Sequence, residues 1–515
     1  GRLAMPGAGR HGGMGLSRMF EPDEVLVDLT ARLLPGAGWV PRTQRFEIRT
    51  DDAMARGFGA SRRVISRFYD PEALPRDPGA LSLTTTMGYT LSAARRDSLR
   101  RFRDWHTGAG AMTDAATDEE FSRFRPAGLQ PSGRPVVLIK GYNTGDFIHL
   151  NRIEGPFTGA SVIVPLRDAA PGLSLRAMAG YGWSEQSVRG AAGARWSAGG
   201  WQLSGGVART LDVTNDFRDQ FDNPNFGALA GRDPWDFVER RGGGVGAARR
   251  LDRWGSLVQV ELAGVEDRAV TRHLNYSLFG RRLRDNRGVT GGSYLRTRLL
   301  LDWNPAVSPS VARDGIGVRL EGENAGGDLD YTRVEGRVVV RKSLRPLFLM
   351  VRLHGGAVLA DVPPPQQLFE LGGPAGFPGY QYKEYAGNRA ALFRTRITYP
   401  LPLLDTPIRV GRGITLPALA PAVSVGFQSG MADARSANAR EAVRSLGVLR
   451  NEETGVIVTD PETGATLPAS VPTGRLKSSI DIRIGVFGDA LGVGVARALE
   501  KGRTSTWFVV LGRQF

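Results

Sequence analysis

The sequence predicts an all-β fold, a 16-stranded antiparallel transmembrane β-barrel with a small, partly irregular N-terminal segment. From Asp146 onward, segments of about ten residues alternate apolar side chains with small or polar ones, and turn residues separate them. These segments exceed the ~5–6 residues usual in soluble sheets and match the ~9–11 residues of a tilted membrane-spanning strand. Their number is even, as expected for a barrel that closes with both chain ends in the periplasm.

Composition narrows the class of protein. The chain has 515 residues, of which 23% are charged and 41% hydrophobic, so a folded protein is expected. Cysteine is absent, which excludes disulfides and thiolate metal sites. The net charge is +15, but the arginines are spread singly along the chain, so no nucleic-acid partner is expected. No signal peptide or apolar run of about 18 residues is present, and the start Gly1-Arg2-Leu3 suggests a fragment or a mature piece.

Residues 1–140 are predicted to form a periplasmic segment, the tail of a truncated domain followed by a linker. The local patterns predict a short helix at 22–34, strands at 44–50 and 62–69, a charged helix at 93–106 and a polar linker at 115–131.

Residues 141–515 are predicted to form the barrel. In its strands one face would often carry Arg, Glu, Ser, Thr or Gly, which a soluble core would not bury unpaired but a water-filled lumen accepts. Glycine in these strands, including Gly242-Gly243-Gly244, suits tight barrel curvature. The sixteen predicted strands are 147–155, 159–166, 173–183, 189–198, 201–211, 237–250, 256–269, 293–303, 316–325, 331–342, 347–359, 389–401, 420–430, 477–487, 491–500 and 506–515.

Connection lengths support this assignment. With the amino end in the periplasm, alternate connections face outside, and outer loops are the long ones in such barrels. The longest connections all fall on that side: 212–236, 270–292, 360–388 and 431–476. The connection 402–419 on the other side contains the apolar run "GITLPALAP", so the strand that follows it is predicted to begin early.

The carboxyl terminus carries a further pattern. In "TWFVVLGRQF", Trp507, Val509, Leu511 and Phe515 fall on one face of a strand, with Arg513 near the interface. A chain that ends in an aromatic residue after an alternating strand resembles the terminal signal of bacterial outer-membrane proteins.

No pattern indicates an enzyme, a metal site or a cofactor. The chain has five histidines and none pair at i, i+4; a GxSxG elbow and a P-loop are also absent. The segment 212–222 is rich in Asp but lacks the spacing of a calcium-binding EF-hand, so a solvated outer loop is the expected interpretation.

The stretch "LGGPAGFPGYQYKEYAGNRAALFRTRITYPLPL" (371–403) resembles the signature of the bacterial surface antigen, or BamA-like, superfamily. In that family a long loop with a "[LV]RG[FY]" motif folds back into the barrel lumen, which predicts an inward loop at 360–388. Phe377-Pro378-Gly379-Tyr380 takes the motif's place. The segments 386–389 and 396–401 resemble the strand that follows the loop.

Three shorter segments extend the resemblance. "VGFQSG" (425–430), with Phe427, Gln428 and Gly430, resembles the family's "FFDAG" on strand thirteen. "GVFGDALGVGVARALE" (485–500) resembles a motif near the family's carboxyl end. "LNRIEGPFTGASV" (150–162) resembles the first hairpin of a subgroup with a periplasmic β-domain before the barrel.

The chain departs from the family at two paired positions. The family's loop arginine pairs with the "FFDAG" aspartate inside the lumen, and these places are held here by Pro378 and Gln428. Loss of one partner would leave a confined charge unpaired, at a cost of ~1–3 kcal/mol, and loss of both removes that cost. We therefore expect the loop to be held by packing of Phe377 and Tyr380, with Tyr382 and Tyr385 contributing, and by the stiffness of Pro378.

The resemblance implies a protein that assists insertion or translocation of proteins or lipids at the outer membrane. The first and last strands would pair weakly and open, with Gly492 and Gly494 leaving small gaps near that seam. The expected partners are outer-membrane lipids, lipopolysaccharide and client proteins, around a monomeric barrel. No βααββ periplasmic repeat is recognisable in 1–140. A passive, weakly anion-selective channel is the alternative, since a basic lumen would favour anions, and an outer-membrane enzyme is the least favoured.

Overall fold

The computed structural model shows two compact units, one with the described strands up to residue 67 and one with the described residues from 133 onward. A boundary at residue 140 remains a prediction. The described residues are 2–6, 22–34, 38–50, 61–67, 133–139, 144–214, 228, 233, 235–251, 256–305, 307, 314–344, 346–373, 376–404, 408–410, 414–416, 419–451, 454–486 and 491–511.

The first unit contains a four-stranded antiparallel sheet in chain order. Its strands are β1 (Arg2–Pro6), β2 (Pro22–Leu34), β3 (Gly38–Thr50) and β4 (Ser61–Arg67).

The helix predicted at 22–34 is wrong, because this segment is strand β2. Its apolar residues alternate with charged or polar ones at a period of two, and β3 provides a partner that begins four residues after β2 ends, with Leu34 opposite Gly38. The strand predicted at 44–50 lies within β3, and the strand predicted at 62–69 overlaps β4, with 68–69 outside the described residues. The predicted helix 93–106 and linker 115–131 lie outside the described residues.

The second unit is a closed antiparallel barrel. Its strands are β5 (Leu138–Ile139), β6 (Ile148–Asn151), β7 (Gly155–Pro165), β8 (Leu173–Gly182), β9 (Ser187–Ala198), β10 (Trp201–Val213), β11 (Phe237–Arg250), β12 (Leu257–Arg268), β13 (Gly292–Trp303), β14 (Gly315–Gly327), β15 (Tyr331–Leu344), β16 (Leu347–Leu359), β19 (Arg389–Pro400), β22 (Ala422–Asp433), β23 (Lys477–Val486), β24 (Leu491–Ala498) and β25 (Ser505–Leu511); between them lie the short pairs β17 (Phe369–Leu371) with β18 (Tyr385–Gly387) and β20 (Ile408–Val410) with β21 (Ile414–Leu416).

The first barrel strand is split into two pieces, β5 and β6. Both run antiparallel to β7, with Ile139 opposite Val162 and Ile148 opposite Thr158, so they share one position in the ring and the barrel has sixteen strands, as predicted. The segment predicted as strand one, 147–155, therefore covers only part of it. A 3-10 turn before β6 brings the carboxylate of Asp146 to 2.8 Å from Arg176 of β8.

The connections on one end of the barrel are long, and we call this the loop end. They include 214–236, 269–291, 360–388 and 434–476, as the sequence predicts. The last of these contains the helix α1 (Ala437–Arg444), whose first turn is capped by Ser436, with Ala439 N donating to Ser436 Oγ at 3.0 Å. At the other end, the apolar run near 414–416 forms the short hairpin β20–β21, so the early start predicted for strand thirteen is wrong and β22 begins at Ala422.

The barrel wall has an apolar outside and a polar inside. On β23, Ile480, Ile482 and Ile484 are exposed, whereas Asp481 and Arg483, which alternate with them, are buried. A soluble core would show the reverse pattern, while a closed, even-stranded barrel with an apolar outer face is the form of outer-membrane proteins. No helix in the described part of the chain is long and apolar enough to cross a membrane.

Exposed tryptophans lie at both rims of the barrel. Trp196, Trp201 and Trp303 are near the strand ends opposite the loop end, and Trp183 and Trp507 are near the loop end. Two girdles of aromatic residues at the interfaces are typical of transmembrane barrels. Their positions indicate that the strands between them cross the apolar part of the bilayer.

Candidate functional site

The connection 360–388 folds into the lumen, and we call it the plug. The strands β17 and β18 pair as an antiparallel hairpin within it. Phe369, Phe377 and Ala386 are fully buried, and the plug's apolar side chains pack on inward-facing wall residues of β12 to β24. These wall residues are Ala263, Val265, Tyr294, Ala325, Tyr331, Val358, Ala390, Leu392, Ala432 and Ala498.

The segment Phe377-Pro378-Gly379-Tyr380 forms the tip of the plug and contacts β23 and β24. Gly379 has a φ of +92°, and a Cβ atom there would lie 2.8 Å from the backbone nitrogen of Ala498. Only glycine combines this backbone conformation with so close an approach to the wall. The Tyr380 hydroxyl donates to the carbonyl oxygen of Ser478 at 3.0 Å.

Aromatic rings and a turn complete the tip. The ring centroids of Phe377 and Tyr380 are 4.6 Å apart, and those of Tyr380 and Tyr385 are 5.4 Å apart in an edge-on arrangement. Pro378 is buried in the turn between them. Apolar packing therefore helps to seat the tip, together with the hydrogen bond of Tyr380.

The three residues singled out on β22 have different surroundings. Gln428 is buried and faces the lumen, Phe427 lies on the outer face with its ring centroid 6.4 Å from that of Phe393, and Gly430 faces inward. A Cβ atom on Gly430 would lie 2.9 Å from Leu392 and 3.5 Å from Leu371 of the plug. The glycine therefore gives the plug room at the wall.

Gln428 belongs to a buried polar group built by the wall itself. Its amide nitrogen donates to Asp481 Oδ2 at 2.5 Å, and its amide oxygen accepts from Ser479 at 3.0 Å. Arg396 of β19 approaches the other oxygen of Asp481 at 3.2 Å. In this group the carboxylate is that of Asp481 on β23, the strand next to that of Gln428. The arginine is Arg396 on β19, so it belongs to the wall and not to the plug. Sequence reasoning missed this pair, although Asp481 alternates with the isoleucines of "SSIDIRI".

A second buried ionic group lies at the loop end, and we call it the Asp236 cluster. It joins three connections and the plug, and its members are Arg152, Asp233, Asp236, Arg284, Arg287, Glu370 and Lys383. Lys383 and Glu370 are plug residues in contact with each other, and Lys383 Nζ lies 2.8 Å from Asp236 Oδ2. Sequence reasoning missed the cluster, because its members are far apart in the chain and occur in loops without periodicity.

Asp236 is the centre of this cluster. It is fully buried, and its Oδ1 atom accepts from Arg152 at 2.9 Å and from Arg284 at 2.6 Å. Burial by itself would raise the pKa of Asp236, but the charges of Arg284, Lys383 and Arg152 outweigh it and hold the pKa well below its usual range. The carboxylate therefore stays ionised and attracts cations from both the plug and the loops.

The connection between β22 and β23 covers the plug at the loop end. The hydroxyl of Ser470 donates to the carbonyl oxygen of Lys383 at 2.6 Å, and Ala386 N donates to the carbonyl oxygen of Val471 at 3.0 Å. Helix α1 packs Ala439 and Val443 against the same apolar cluster as Ala386. The plug is thus held between the wall and a second loop.

The barrel closes where β25 lies next to β5. Gly492 and Gly494 both face inward on β24, and the space beside Gly494 is filled by Phe508, because a Cβ atom there would lie 2.6 Å from its ring. Trp507 is 79% exposed on the outer face. Leu511 ends β25, while its side chain and Phe515 lie outside the description.

Charged side chains line the lumen between these features. Arg296 contacts Glu261 at 2.5 Å and Arg298 contacts Glu321 at 2.8 Å, each pair bridging adjacent strands. Among the described residues, no group of three or more acidic or histidine side chains is placed to hold a metal ion.

The fold and the plug define a transmembrane β-barrel of the outer-membrane type whose lumen is occupied by one of its own loops. No family model and no curated protein matches the chain. Similar solved structures include BamA from Haemophilus ducreyi lacking POTRA domains 1–3, at 10% identity and a TM-score of 0.43, covering 94% of this chain and 88% of that one.

Two further similar structures are CdiB from Acinetobacter baumannii, at 10% identity, and CdiB from Escherichia coli, at 9%, each with a TM-score of 0.34. They cover 70% and 71% of this chain, and the chain spans 57% and 61% of their length. Any function therefore has to be argued from the chain's own contacts.

Proposed function

We propose that this outer-membrane barrel assists the insertion or translocation of proteins or lipids at the outer membrane, through the seam between β25 and the first strand. The observation that carries the proposal is the interruption of the first strand at the closure. The 3-10 turn Thr144–Asp146 separates β5 from β6, so the strand that closes the barrel next to β25 is not continuous. Neighbouring strands from β7 to β25 are joined over seven residue pairs, as in β24–β25, to thirteen, as in β10–β11.

The extent of strand pairing at the closure sets the free energy that is needed to separate β25 from the first strand. Each backbone hydrogen bond between strands stabilises the sheet by about 0.5–1.5 kcal/mol, so an interrupted first strand separates from its neighbour more readily than a continuous one. An unpaired strand edge is a template for another strand, and inside a bilayer an unsatisfied backbone group costs several kcal/mol. A client strand that pairs with β25 would remove that cost.

The plug gives the proposal its second support. A lumen filled by residues 360–388 suits a barrel that works at its seam more than one that conducts solutes. In this proposal the first unit lies in the periplasm, and the partners are outer-membrane lipids, lipopolysaccharide and client outer-membrane or secreted proteins, around a monomeric barrel without enzymatic activity.

A passive, weakly anion-selective channel is the second candidate. The observation that favours it is the set of arginines facing the lumen, of which Arg352, Arg396 and Arg483 are buried on three different strands. In planar bilayers, large and steady anion-selective conductance that survives deletion of 372–386 would support the channel instead of the assembly barrel.

Site-specific photo-crosslinking tests the seam directly. A photoreactive residue at Ile139, which is 80% exposed on β5, should capture client proteins in living cells. Val245 on β11 is 61% exposed on the outer face away from the seam and serves as the matched control. Equal capture at both positions, or capture at neither, would refute the proposal.

Depletion of the protein provides the complementary readout. An inventory of the outer membrane should then show loss of many barrels, of one secreted protein or of one lipid, and the class that is lost identifies the client. An unchanged inventory would favour the channel.

A further inference from the structure

Asp236 contacts two parts of the molecule that have separate roles in the proposed function. One is the first hairpin, β6–β7, which borders the seam and carries Arg152 in its turn. The other is the plug, which carries Lys383. Both cations bind the same carboxylate, Arg152 at 2.9 Å on one oxygen and Lys383 at 2.8 Å on the other.

Because the contact of Arg152 and Lys383 with Asp236 is buried, its stability depends on both cations. The side chains of Arg152 and Asp236 are fully buried and that of Lys383 is nearly so. A buried charge is tolerated only while its counter-charges stay in place, so removal of one cation changes the hold on the others. Arg284 and Arg287 add further positive charge around Asp236, and Glu370 and Asp233 add negative charge.

The neighbouring contacts reinforce both links. The guanidinium of Arg152 also lies 5.3 Å from the ring centroid of Phe237. The carbonyl oxygen of Arg152 accepts hydrogen bonds from the backbone nitrogens of His273 and Leu274, both at 3.0 Å. On the plug side, Arg284 stacks over the ring of Tyr382 at 4.7 Å. The turn of the first hairpin and the plug are thus tied to the same small set of loop residues.

We propose that Asp236 is a positioning residue that couples the first hairpin to the plug, so that displacement of the hairpin at the seam weakens the hold on the plug inside the lumen. This inference rests on the proposed function, because it gives seam opening a consequence for the lumen. The coupling itself is a property of the resting protein and can be measured without a client.

The absence of cysteine from the chain permits clean reporters. Ala498 on β24 is 1% exposed and lies under the plug tip, so the thiol of an Ala498→Cys variant becomes accessible when the plug moves. Ala496 on the same strand is also 1% exposed but is covered by Phe508 of β25, so Ala496→Cys reports the last strand instead.

The expected results distinguish coupling through Asp236 from independent effects of the two cations. Lys383→Met should increase the rate of maleimide labelling at Ala498→Cys by roughly tenfold, because Asp236 then no longer holds the plug. Arg152→Met should also increase it, although Arg152 lies in the first hairpin. The double variant should label no faster than Lys383→Met alone, since both residues act through one carboxylate. Independent, multiplying effects would overturn the proposal.

Arg189→Met is the matched control. Arg189 is buried at the same end of the barrel and binds Glu154 in the same turn, but its other partners, Glu185 and Glu239, lie outside the plug. This variant should leave labelling at Ala498→Cys within about twofold of the parent. An increase equal to that of Arg152→Met would mean general loosening of the loops and would refute the coupling.

Folding and function are controlled separately. Heat-modifiable migration on gels checks that each variant forms the barrel. The charge-conserving variants Arg152→Lys and Lys383→Arg should restore slow labelling at Ala498→Cys if the positive charge beside Asp236 is what holds the plug. Unchanged labelling at Ala498→Cys in folded Arg152→Met would refute the coupling while leaving the seam proposal intact. A negative result in the Ile139 crosslinking would refute the seam proposal while leaving the coupling measurement valid.

Discussion

The two halves of the barrel wall carry different lumen faces. From β7 to β11 the inward-facing residues are often small, among them Ser161, Ala191, Gly244 and Ala248, whereas from β12 to β23 they include Arg298, Glu321, Arg396 and Asp481. All wall residues in the apolar cluster around the plug come from β12 or later. The apolar contacts of the plug are therefore with the later half of the wall, and ionic contacts tie the plug to loops of the other half.

The late and early strands of the wall differ in how the plug and glycine are distributed on them. Apolar plug contacts lie on the late strands, whereas the early half begins with the split strand β5–β6 and has glycine at positions such as Gly159 and Gly180. A Cβ atom on Gly180 would lie 2.1 Å from the ring of Phe157, so here glycine makes room for an inward ring as well as for curvature. We infer that movement at the seam is taken up by the early strands.

The largest expected effect comes from removing Asp481. Asp481→Leu would leave Arg396 and Gln428 buried without their carboxylate, and loss of one partner of a buried pair typically costs about 3–5 kcal/mol. Ser161→Ala on β7 is the matched change in the early half and should cost less than about 1 kcal/mol. Urea unfolding followed by tryptophan fluorescence measures both, and equal shifts of the midpoint would contradict the contrast between the halves.

A smaller effect is expected from Gly379→Ala at the plug tip. The alanine would have to adopt a φ near +92° with its Cβ close to Ala498, and such strain costs about 1–3 kcal/mol. Labelling at Ala498→Cys should therefore rise. Gly264→Ala on β12, where a Cβ would meet no atom within 4 Å, is the control and should leave labelling unchanged.

Tyr380→Phe should have a modest effect. It removes only the hydrogen bond to Ser478, which typically contributes about 0.5–1.5 kcal/mol, and keeps the ring contacts with Phe377 and Tyr385. Plug labelling should rise by less than in Gly379→Ala. An effect larger than that of Gly379→Ala would show that the hydrogen bond, not packing, seats the tip.

The smallest effect is expected from pH. The depressed pKa of Asp236 means that its stabilising contribution is present above its unfolded pKa of about 3.9 and is lost only as pH falls through the lower folded value. Labelling at Ala498→Cys, corrected for thiolate reactivity with the Gly264→Cys variant, should therefore not change between pH 8 and pH 5. A marked rise within that range would mean that the plug is held by other titratable groups.

Much of the fold could be predicted because alternation with a period of two is a local property. Ile480, Ile482 and Ile484 lie outside and Asp481 and Arg483 inside, as the pattern of β23 predicts. Local patterning gave the wrong element at 22–34. A segment of this length can be interpreted as a helix or as a strand until its partner strand is known. Local patterning also failed at strand one, because its break depends on how 144–147 packs against β7 and β8.

The candidate site was predictable only in part. Resemblance to a family motif predicted an inward loop that includes Phe377 to Tyr380, and the glycine and aromatic content indicated close packing. The Asp236 cluster could not be predicted, because Arg152, Asp236, Glu370 and Lys383 are separated by up to 231 residues and lie in loops, whose paths no local pattern determines.

The sequence by itself determined the number of strands, the apolar outer face and the position of the long connections, since these follow from side-chain alternation and turn residues. Only the tertiary structure decided that the counter-charges sit at Arg396 and Asp481 in the wall and at Lys383 and Asp236 at the loop end. The physical reason is that a buried charge needs its partner within about 4 Å, and closure of the barrel, not order along the chain, sets which residues come that close.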